Sequence, residues 1–261
     1  MILRRLGNKK KVAKLIVPHF PAHKIYIEPF FGAGGIYFNK PIAKYNILND
    51  LDGDVFNLFQ VTKNRKSELL DFLNSTPFDQ TLFNFWVKNK EMDPIAKAAR
   101  FLILSNLSYL GKMDTMVLNF NTSFNTLIRS IYGCENFSRS RFTNFDFRDL
   151  FKKISYQQDG RNDEEKTFIY CDPPYLTTTN NYSNSFTEQD TTDLFDTVIK
   201  TGCKFAISEF DNPFVLELAK KHNLEVITIG ERQNLKNRRT EILIVNYKSP
   251  ALYSLFSHNY L

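Results

Sequence analysis

Cysteine, tryptophan and long apolar runs are scarce in this chain of 261 residues. Its three cysteines, Cys134, Cys171 and Cys203, are far apart, and four histidines accompany them. Without a Cys-x-x-Cys pair, this set predicts neither a zinc site nor a disulfide framework. No stretch approaches the roughly 18 apolar residues that a membrane span requires, and the first residues lack a long apolar region. We therefore expect a soluble, cytoplasmic protein with no metal site and no membrane contact.

The composition is that of a globular chain with a mild excess of positive charge. A hydrophobic content of 43% is enough for a full core, either in one large domain or in a domain with an insertion. The net charge of +6 permits binding to nucleic acid but does not by itself indicate it. Most of the 25 phenylalanines and 12 tyrosines must belong to the core.

Runs of β-branched and aromatic residues alternate with segments of helical periodicity. The runs predict strands at 25–30, 45–49, 168–171, 204–207, 224–229 and 241–247. Helical spacing is present at 9–17, 54–62 and 191–199. This alternation predicts an α/β fold, in which a mostly parallel sheet carries helices on both faces.

The alternation is interrupted between residues 52 and 145. This segment has helical patterns at 68–73, 80–90 and 94–105, followed by a stretch at 106–144 that is rich in Asn, Ser and Thr. We interpret 52–145 as a mainly helical inserted subdomain. Residues 1–51 and 146–261 then form the main domain.

The tetrapeptide Asp172-Pro173-Pro174-Tyr175 ends the apolar run 168–171 with residues that cannot continue a strand. Proline has no N–H, so the carbonyls beside it lack a ladder partner and are available to a ligand. A carboxylate acceptor, a rigid carbonyl and an aromatic ring together suit a planar base with an exocyclic amino group. For the tetrapeptide alone, a plain turn after a strand is the alternative.

A glycine-rich segment follows residues Ile25–Ile27 of the first predicted strand. It consists of Glu28, Pro29, Phe30, Phe31, Gly32, Ala33, Gly34 and Gly35. Glycine allows the backbone to approach a ligand at the carboxyl end of a strand, although a tight turn is again the alternative. Asp50 ends the next strand, where an acid typically accepts hydrogen bonds from ribose hydroxyls. Because the Gly-Lys-Ser/Thr of a P-loop is absent, a nucleoside without a phosphate chain, such as S-adenosyl-L-methionine, fits better than a triphosphate.

Gly32-Ala33-Gly34, Asp50 and Asp172-Pro173-Pro174-Tyr175, in this order, resemble the motifs of the Dam-type DNA adenine methyltransferases. The resemblance extends over nearly the whole chain. It implies a Rossmann-like methyltransferase sheet and transfer of a methyl group from S-adenosyl-L-methionine to the N6 amino group of an adenine flipped out of duplex DNA. It also implies a target-recognition role for the insertion 52–145.

The resemblance further assigns roles to individual residues. Gly7-Asn8-Lys9 resembles the family's N-terminal motif, whose lysine meets the methionine carboxylate of the cofactor, and Asp146-Phe147 resembles the pair that contacts the cofactor's adenine. The remaining residues implied for cofactor binding are Glu28, Pro29, Phe30, Phe31, Gly32, Ala33, Gly34, Asp50 and Asp172. Residues 186–190 and 238–247 match segments after the catalytic loop and in the last strand.

The resemblance also bears on the partners and on the cellular setting. It implies a bacterial or phage-encoded protein that acts on double-stranded DNA as a monomer or weak dimer. A cognate restriction endonuclease is a further expected partner if the chain belongs to a restriction–modification system. The recognition sequence is left open.

The tetrapeptide explains how an adenine amine becomes reactive. The lone pair of this amine is delocalised into the ring, which makes it a poor nucleophile. Hydrogen bonds from its two N–H groups to the Asp172 carboxylate and the Pro173 carbonyl would give the nitrogen tetrahedral character. No covalent enzyme intermediate is needed, so we interpret Cys171 as a packing residue. The base must leave the duplex to reach such a pocket, and Tyr175 is the expected stacking platform.

Candidate DNA contacts are drawn from donors and aromatic residues in polar segments. They are Tyr109 and Lys112 in the turn 106–112, then Arg129, Arg139 and Arg141, and Arg238 in the basic segment 232–239. For each of them, a solvated surface residue is the alternative.

Two other functions remain open at this point. One is a methyltransferase that acts on RNA adenine or on a protein glutamine amide, since related Pro-Pro-Tyr loops serve those substrates. The other is a DNA-binding relative without activity. Asp172 before the prolines and the large insertion favour DNA, and the presence of every expected site residue favours an enzyme.

Overall fold

The computed structural model describes residues 2–3, 8–108, 113, 115–117, 120–134, 137–158, 161–176, 186–233 and 238–251. The strands are β1 (Ile25–Glu28), β2 (Tyr45–Asn49), β3 (Ser140–Thr143), β4 (Gln157–Gln158), β5 (Arg161–Asn162), β6 (Thr167–Cys171), β7 (Lys204–Phe210), β8 (Glu225–Gln233) and β9 (Arg238–Val245). The helices are α1 (Ala13–Ile16), α2 (Gly53–Asn64), α3 (Lys66–Ser75), α4 (Gln80–Lys88), α5 (Pro94–Asn106), α6 (Phe120–Tyr132), α7 (Phe147–Lys152), α8 (Glu188–Lys200) and α9 (Pro213–Lys221).

Seven of the strands form one sheet in the order β3-β2-β1-β6-β7-β9-β8. The strands from β3 to β7 in this order are parallel, and β9 is antiparallel to both of its neighbours. This sheet confirms the predicted α/β fold. The central strand β6 is buried along its whole length, which is why it reads as an unbroken apolar run in the sequence.

Alternate residues of the central strands face two separate cores, as the two-residue period of a strand requires. Tyr26, Phe168 and Tyr170 pack into one core together with residues of α2 and α5. Ile27, Ile169 and Cys171 pack into the other, which is completed by residues of α7, α8 and α9. Cys171 is fully buried there, in agreement with a packing role.

The sheet extends into the segment that the sequence analysis assigned to an insertion. β3 lies within 52–145, yet it pairs in parallel with β2. Val55 and Phe59 of α2 belong to the same core as Tyr26 of β1. The interpretation of residues 140–143 is thereby corrected, because they are part of the main sheet. The assignment of the other helices of this segment to a recognition subdomain stays a prediction.

Two elements, α6 and β3, lie in the stretch 106–144 that carried few core signals. The apolar residues of α6 recur at Phe120, Phe124, Leu127 and Ile131, a helical spacing that the intervening Asn, Ser and Thr residues obscured. β3 is a four-residue edge strand in which the buried Ser140 and Phe142 alternate with the exposed Arg141 and the half-buried Thr143. Short edge strands of this kind have little apolar signal. Within the described residues, no helix is long and apolar enough to cross a membrane.

Candidate active site

The carboxyl ends of the parallel strands meet at one edge of the sheet. From β1, the chain adds β2 and β3 on one side, whereas β6 and β7 lie on the other side. The loops that follow β1 and β6 therefore run in opposite directions and leave a crevice, which is where open α/β sheets bind ligands. A cavity of about 660 Å³ lies at this point.

The cavity gathers most of the residues that the sequence analysis assigned to cofactor binding. Those that line it are Lys9, Glu28, Pro29, Phe30, Phe31, Gly32, Ala33, Asp50, Asp146, Phe147 and Asp172. Gly34 is not among the lining residues. Its φ is 70°, and a Cβ added to it would lie 2.6 Å from the Phe38 ring, so its role is to allow close packing beneath the loop.

Asp50 holds the glycine-rich loop against the end of β2. Its Oδ2 accepts a hydrogen bond of 2.6 Å from the Gly32 N–H, and its Oδ1 accepts one of 2.9 Å from the Asp52 N–H. Gly32 has a φ of 53°, a left-handed conformation that glycine adopts without strain. A carboxylate oxygen can accept more than one hydrogen bond, so Asp50 retains capacity for ligand hydroxyls.

Asn49, the last residue of β2, joins three strand ends and is 1% exposed. Its amide donates to the carbonyls of Pro29 and Phe145, both at 2.9 Å. Its Oδ1 accepts from the Thr143 hydroxyl at 2.9 Å and from the Phe145 N–H at 3.0 Å. The loops after β1 and β3 are therefore fixed to β2 by one side chain.

Three aromatic rings border the cavity on the side of α7 and α8. The Phe30 centroid lies 5.6 Å from that of Phe147 and 5.9 Å from that of Phe186, while the Phe147–Phe186 distance is 6.1 Å. Asp146 lies beside them and caps α7 through the Arg148 N–H at 2.9 Å. Apolar ring surfaces next to a carboxylate suit a flat heterocycle that carries an amino group.

Arg148 connects the beginnings of α7 and α8 at the border of the cavity. Its guanidinium lies 2.6 Å from Asp190 and 2.7 Å from Asp193, and it also contacts Asp146 at 3.3 Å. Burial tends to raise the pKa of Asp190, but hydrogen bonds from Thr187 and Arg148 outweigh it and hold that pKa below the usual value. Hydrogen bonds from Gln189 and Arg148 likewise lower the pKa of Asp193. The same guanidinium lies 4.3 Å from the Phe147 centroid, so it also orients one of the aromatic rings.

The Asp172–Tyr175 loop is held by side chains from distant parts of the chain. The Lys9 ammonium, which is 3% exposed, lies 2.9 Å from Asp172 Oδ1 and 3.0 Å from Glu241 Oε1. Tyr175 donates a hydrogen bond of 2.7 Å to Glu241 Oε1, and its hydroxyl accepts one from Lys9. The Phe210 and Tyr175 rings pack edge to face, with the centroids 4.7 Å apart.

Two further acids are buried at this edge of the sheet. Glu28 accepts a hydrogen bond of 2.8 Å from Tyr26, and burial raises its pKa well above the usual value, with Asp172 adding to the shift. Glu209 accepts from the N–H groups of Phe210 at 2.8 Å and Leu176 at 3.2 Å. Burial raises the pKa of Glu209 to about 8. At neutral pH, raised pKa values favour the uncharged form of both acids, so neither supplies a full negative charge at this edge.

Asn49, Arg148, Glu209 and the contacts of Glu241 were not identified from the sequence. Glu209 lies in a strand outside any recognised motif, and Glu241 belongs to a segment matched only by the family resemblance. The signal that points to both is an acid within an apolar strand, because a buried acid requires a partner. Asn49 carries a related signal, because it is a buried polar amide at the end of β2 and also requires a partner.

The structure describes the side chains of three of the six predicted DNA contacts. Arg129, Arg139 and Arg141 have exposed side chains, on α6, just before β3 and on β3 respectively. Arg141 borders a shallow surface depression together with Lys63 and Phe145. Tyr109, Lys112 and the Arg238 side chain lie outside the described residues. All six assignments therefore stay predictions.

The sheet order, the cavity at the point where that order reverses, and the acidic tetrapeptide loop at the end of β6 are those expected of a Rossmann-like methyltransferase. The family model of the D12 class N6 adenine-specific DNA methyltransferases matches residues 6–235. The chain therefore belongs to that family, which confirms the resemblance. It is an adenine-specific DNA methyltransferase that acts on DNA and uses a methyl donor.

Curated relatives support this membership over most of the chain. The DNA adenine methylase of Escherichia coli K12 is 26% identical over 245 residues, covering 87% of this chain and 86% of the relative. That of Vibrio cholerae is 25% identical over 274 residues, covering 92% and 94%. Among solved structures, the rRNA methyltransferase aviRa from Streptomyces viridochromogenes is similar with 10% identity and a TM-score of 0.41, covering 96% and 88%, a similarity too low to carry an argument.

Asn49→Ala should weaken both the fold and ligand binding. The substitution leaves the buried Pro29 carbonyl and the partly buried carbonyl and N–H of Phe145 without their partner, at a cost of about 2–4 kcal/mol in the free energy of unfolding. It also releases two loops at the cavity. Asn46 provides a matched control, because it is a buried asparagine at the opposite end of β2 that donates to Ala43 and Arg139. Asn46→Ala should lower the free energy of urea unfolding without changing cofactor affinity. Equal losses of affinity in the two variants would contradict this role for Asn49.

Glu209→Gln should change how stability depends on pH. Below the usual pKa of 4.5 the Glu209 carboxyl is neutral in both the folded and the unfolded protein. As the pH rises towards about 8, the carboxyl ionises in the unfolded protein but stays neutral in the folded one, so its contribution to the free energy of unfolding is lost. Glutamine stays neutral, so the variant should gain stability relative to the parent between these pH values, by at most about 5 kcal/mol. Urea unfolding at several pH values measures this difference. The exposed Glu217 on α9 is the control, since Glu217→Gln removes a charge that lies in solvent. A difference between Glu209→Gln and parent that does not vary with pH would refute the prediction.

Proposed function

We propose that this chain transfers the methyl group of S-adenosyl-L-methionine to the N6 amino group of an adenine flipped out of double-stranded DNA, with the Asp172–Tyr175 loop as the catalytic centre. The observation that supports this most directly is that Asp172 and Pro174 line the same cavity as Gly32 and Asp50. A nucleoside cofactor and a target amine would therefore meet in one place. Proximity and alignment of this kind account for much of the rate gain in group transfer.

The cavity fits the cofactor in size and chemistry. Its volume of about 660 Å³ lies within the usual range for small-molecule sites. Asp50 would accept hydrogen bonds from the ribose hydroxyls, and the rings of Phe30 and Phe147 would contact the adenine, whose amino group suits Asp146. When bound, S-adenosyl-L-methionine supplies an electrophilic methyl group on a positively charged sulfur. The Asp172 carboxylate, which follows β6 and lines the cavity, suits that charge.

The Lys9 ammonium already has three partners in the protein. It has three N–H donors, and Asp172, Glu241 and Tyr175 each accept one. The contact with the methionine carboxylate that the family resemblance implies would require Lys9 to exchange one of these partners. We therefore propose that Lys9 serves the catalytic loop first and the cofactor by exchange.

Asp172 and the Pro173 carbonyl would accept the two N–H groups of the target amine and direct its lone pair towards the methyl group. Tyr175 would stack on the extruded base, as enzymes that act on a base outside the duplex require. Its ring is already fixed by Phe210 and by the hydrogen bond to Glu241. Such fixed acceptors need no rearrangement during the reaction.

The DNA would lie across the carboxyl edge of the sheet, with the helices of 52–145 providing target recognition. We propose base contacts from Tyr109 and Lys112, and phosphate contacts from Arg129, Arg139, Arg141 and Arg238.

Because the curated relatives are bacterial DNA adenine methylases, we also propose that the chain acts in the cytoplasm of a bacterial cell, as a monomer or weak dimer.

The test of this function is transfer of radiolabelled methyl from S-adenosyl-L-methionine to unmethylated duplex DNA, with structured RNA and a glutamine-containing protein as alternative acceptors. We expect label in DNA, at adenine N6. Label in RNA or protein and not in DNA would overturn the proposal. Sequencing DNA from cells that express the chain, with detection of methyladenine, would then identify the recognition sequence.

Asp172→Ala should remove nearly all methyl transfer, a loss of about a thousandfold or more, because the amine loses its carboxylate acceptor. The dissociation constant of the cofactor should change by less than about tenfold, since Asp172 acts on the target amine. Single-turnover rates and calorimetry provide the two measurements. Parallel losses of rate and affinity would show that Asp172 serves the cofactor instead.

Asp50→Ala should raise the dissociation constant of S-adenosyl-L-methionine by about tenfold to a hundredfold, which corresponds to a charged pair of hydrogen bonds worth roughly 1.5–3 kcal/mol. The substitution also releases the Gly32 N–H, so both effects act in the same direction. Asp79 is the control, because its carboxylate accepts from the Leu82 N–H at the start of α4 and does not line the cavity. Asp79→Ala should leave the constant unchanged, and an unchanged constant in Asp50→Ala would exclude Asp50 from the cofactor site.

A further inference from the structure

Glu241 is a buried acid on the antiparallel strand β9. It pairs with Phe210 of β7, and its side chain is 1% exposed. β9 runs against the parallel strands, so its first residues lie at the carboxyl edge of the sheet, beside the loop that follows β6. A carboxylate buried at such a place is stable only with hydrogen bonds or a counter-charge.

Glu241 has both a hydrogen bond and a counter-charge, and both partners also contact or belong to the proposed catalytic loop. Its Oε1 accepts a hydrogen bond from the Tyr175 hydroxyl at 2.7 Å. The same oxygen lies 3.0 Å from the Lys9 ammonium, which in turn lies 2.9 Å from Asp172. Glu241 is thus connected to the last residue of the tetrapeptide directly and to its first residue through Lys9.

We propose that Glu241 is a positioning residue for methyl transfer. It fixes the Tyr175 ring by accepting a hydrogen bond from the Tyr175 hydroxyl. It also shares the Lys9 ammonium with Asp172, so that Lys9 orients the Asp172 carboxylate without neutralising it in an exclusive ion pair. This inference rests on the proposed catalytic role of the Asp172–Tyr175 loop. Lys9 is then shared between two carboxylates: that of Asp172, which acts on the target amine, and that of Glu241, which does not.

This sharing has a direct chemical consequence. In Glu241→Gln the neutral amide still has an oxygen that can accept from Tyr175, but it no longer attracts the ammonium. Asp172 would then be the only one of the two carboxylates left to pair with Lys9, and a carboxylate engaged more strongly by an ammonium is a weaker acceptor for the adenine amine. The rate of methyl transfer should fall, whereas cofactor affinity should change little, because most of the proposed cofactor contacts lie around Asp50 and Phe147 and do not involve Glu241.

The first experiment measures Glu241→Gln, Tyr175→Phe and the double variant by single-turnover methyl transfer to duplex DNA and by cofactor calorimetry. We expect each single variant to lose about tenfold to a hundredfold in rate, with less than a threefold change in cofactor affinity. The double variant should be no slower than the slower single variant, because both changes act on one network. Losses that multiply, or an equal loss of affinity, would overturn the proposal.

Tyr247→Phe is the matched control for loss of a tyrosine hydroxyl. Tyr247 follows β9 at the opposite end of that strand and donates to the His19 carbonyl at 3.1 Å. It should keep the parent's rate within about twofold, even if its stability falls. Glu241→Asp retains the negative charge at a shorter reach and should recover part of the rate that Glu241→Gln loses. A rate of Glu241→Asp no higher than that of Glu241→Gln would contradict a role for the charge.

A second measurement does not depend on activity. Acylation of lysines by a small amine-reactive ester, followed by mass spectrometry, reports how firmly each ammonium is held. Lys9 should react at least about fivefold faster in Glu241→Gln than in the parent, whereas the buried Lys40, which donates to the Pro41 carbonyl, should react at an unchanged rate. Equal reactivity of Lys9 in the two proteins would overturn the proposed sharing of Lys9. If the parent transferred no methyl to DNA but Lys9 responded as expected, the proposed function would fail while the contact of Glu241 with Lys9 stood.

Discussion

The site depends on one buried ammonium. Lys9 contacts Asp172 and Glu241 at an edge of the sheet that also holds Glu28 and Glu209, and burial raises the pKa of the latter two acids. Acids are needed there because their oxygens accept hydrogen bonds from amines and hydroxyls. A cluster of buried carboxylates is unstable without a counter-charge, and removing one partner of a buried pair typically costs about 3–5 kcal/mol. The position of Lys9 therefore limits where the acids can lie.

Around Lys9, polar side chains fix the loops at the strand ends, whose backbone is not part of the hydrogen-bonded sheet. Asn49 joins the ends of β1, β2 and β3, and Asp50 holds the Gly32 N–H. Arg148 joins the starts of α7 and α8. Each of these bonds connects segments from different strands or helices. The loops at the cavity are thus held by the sheet itself, which suits a reaction that depends on alignment more than on a reactive side chain.

Residues that belong to short local motifs are recognisable in the sequence, whereas elements whose pattern is diluted are not. The tetrapeptide at 172–175, Asp50 and the glycine-rich loop are recognisable because each is a short motif after an apolar run, and the structure brings Asp172, Asp50 and Gly32 to one cavity. β3 and α6 were not predicted because polar residues dilute their periodicity. Gly34 was assigned to the cofactor, whereas its place under the loop reflects the nearby ring of Phe38.

By itself, the sequence determined the α/β class, the approximate strand positions and the family. Apolar runs record burial residue by residue, and the motifs keep their order along the chain. The partners of those motifs were decided only by the tertiary structure. Lys9 and Tyr175 are 166 positions apart, and Tyr175 and Glu241 are 66 apart. Their contact requires β9 to lie beside β7 and to run against it, and strand order is a property of the whole sheet that no local pattern encodes.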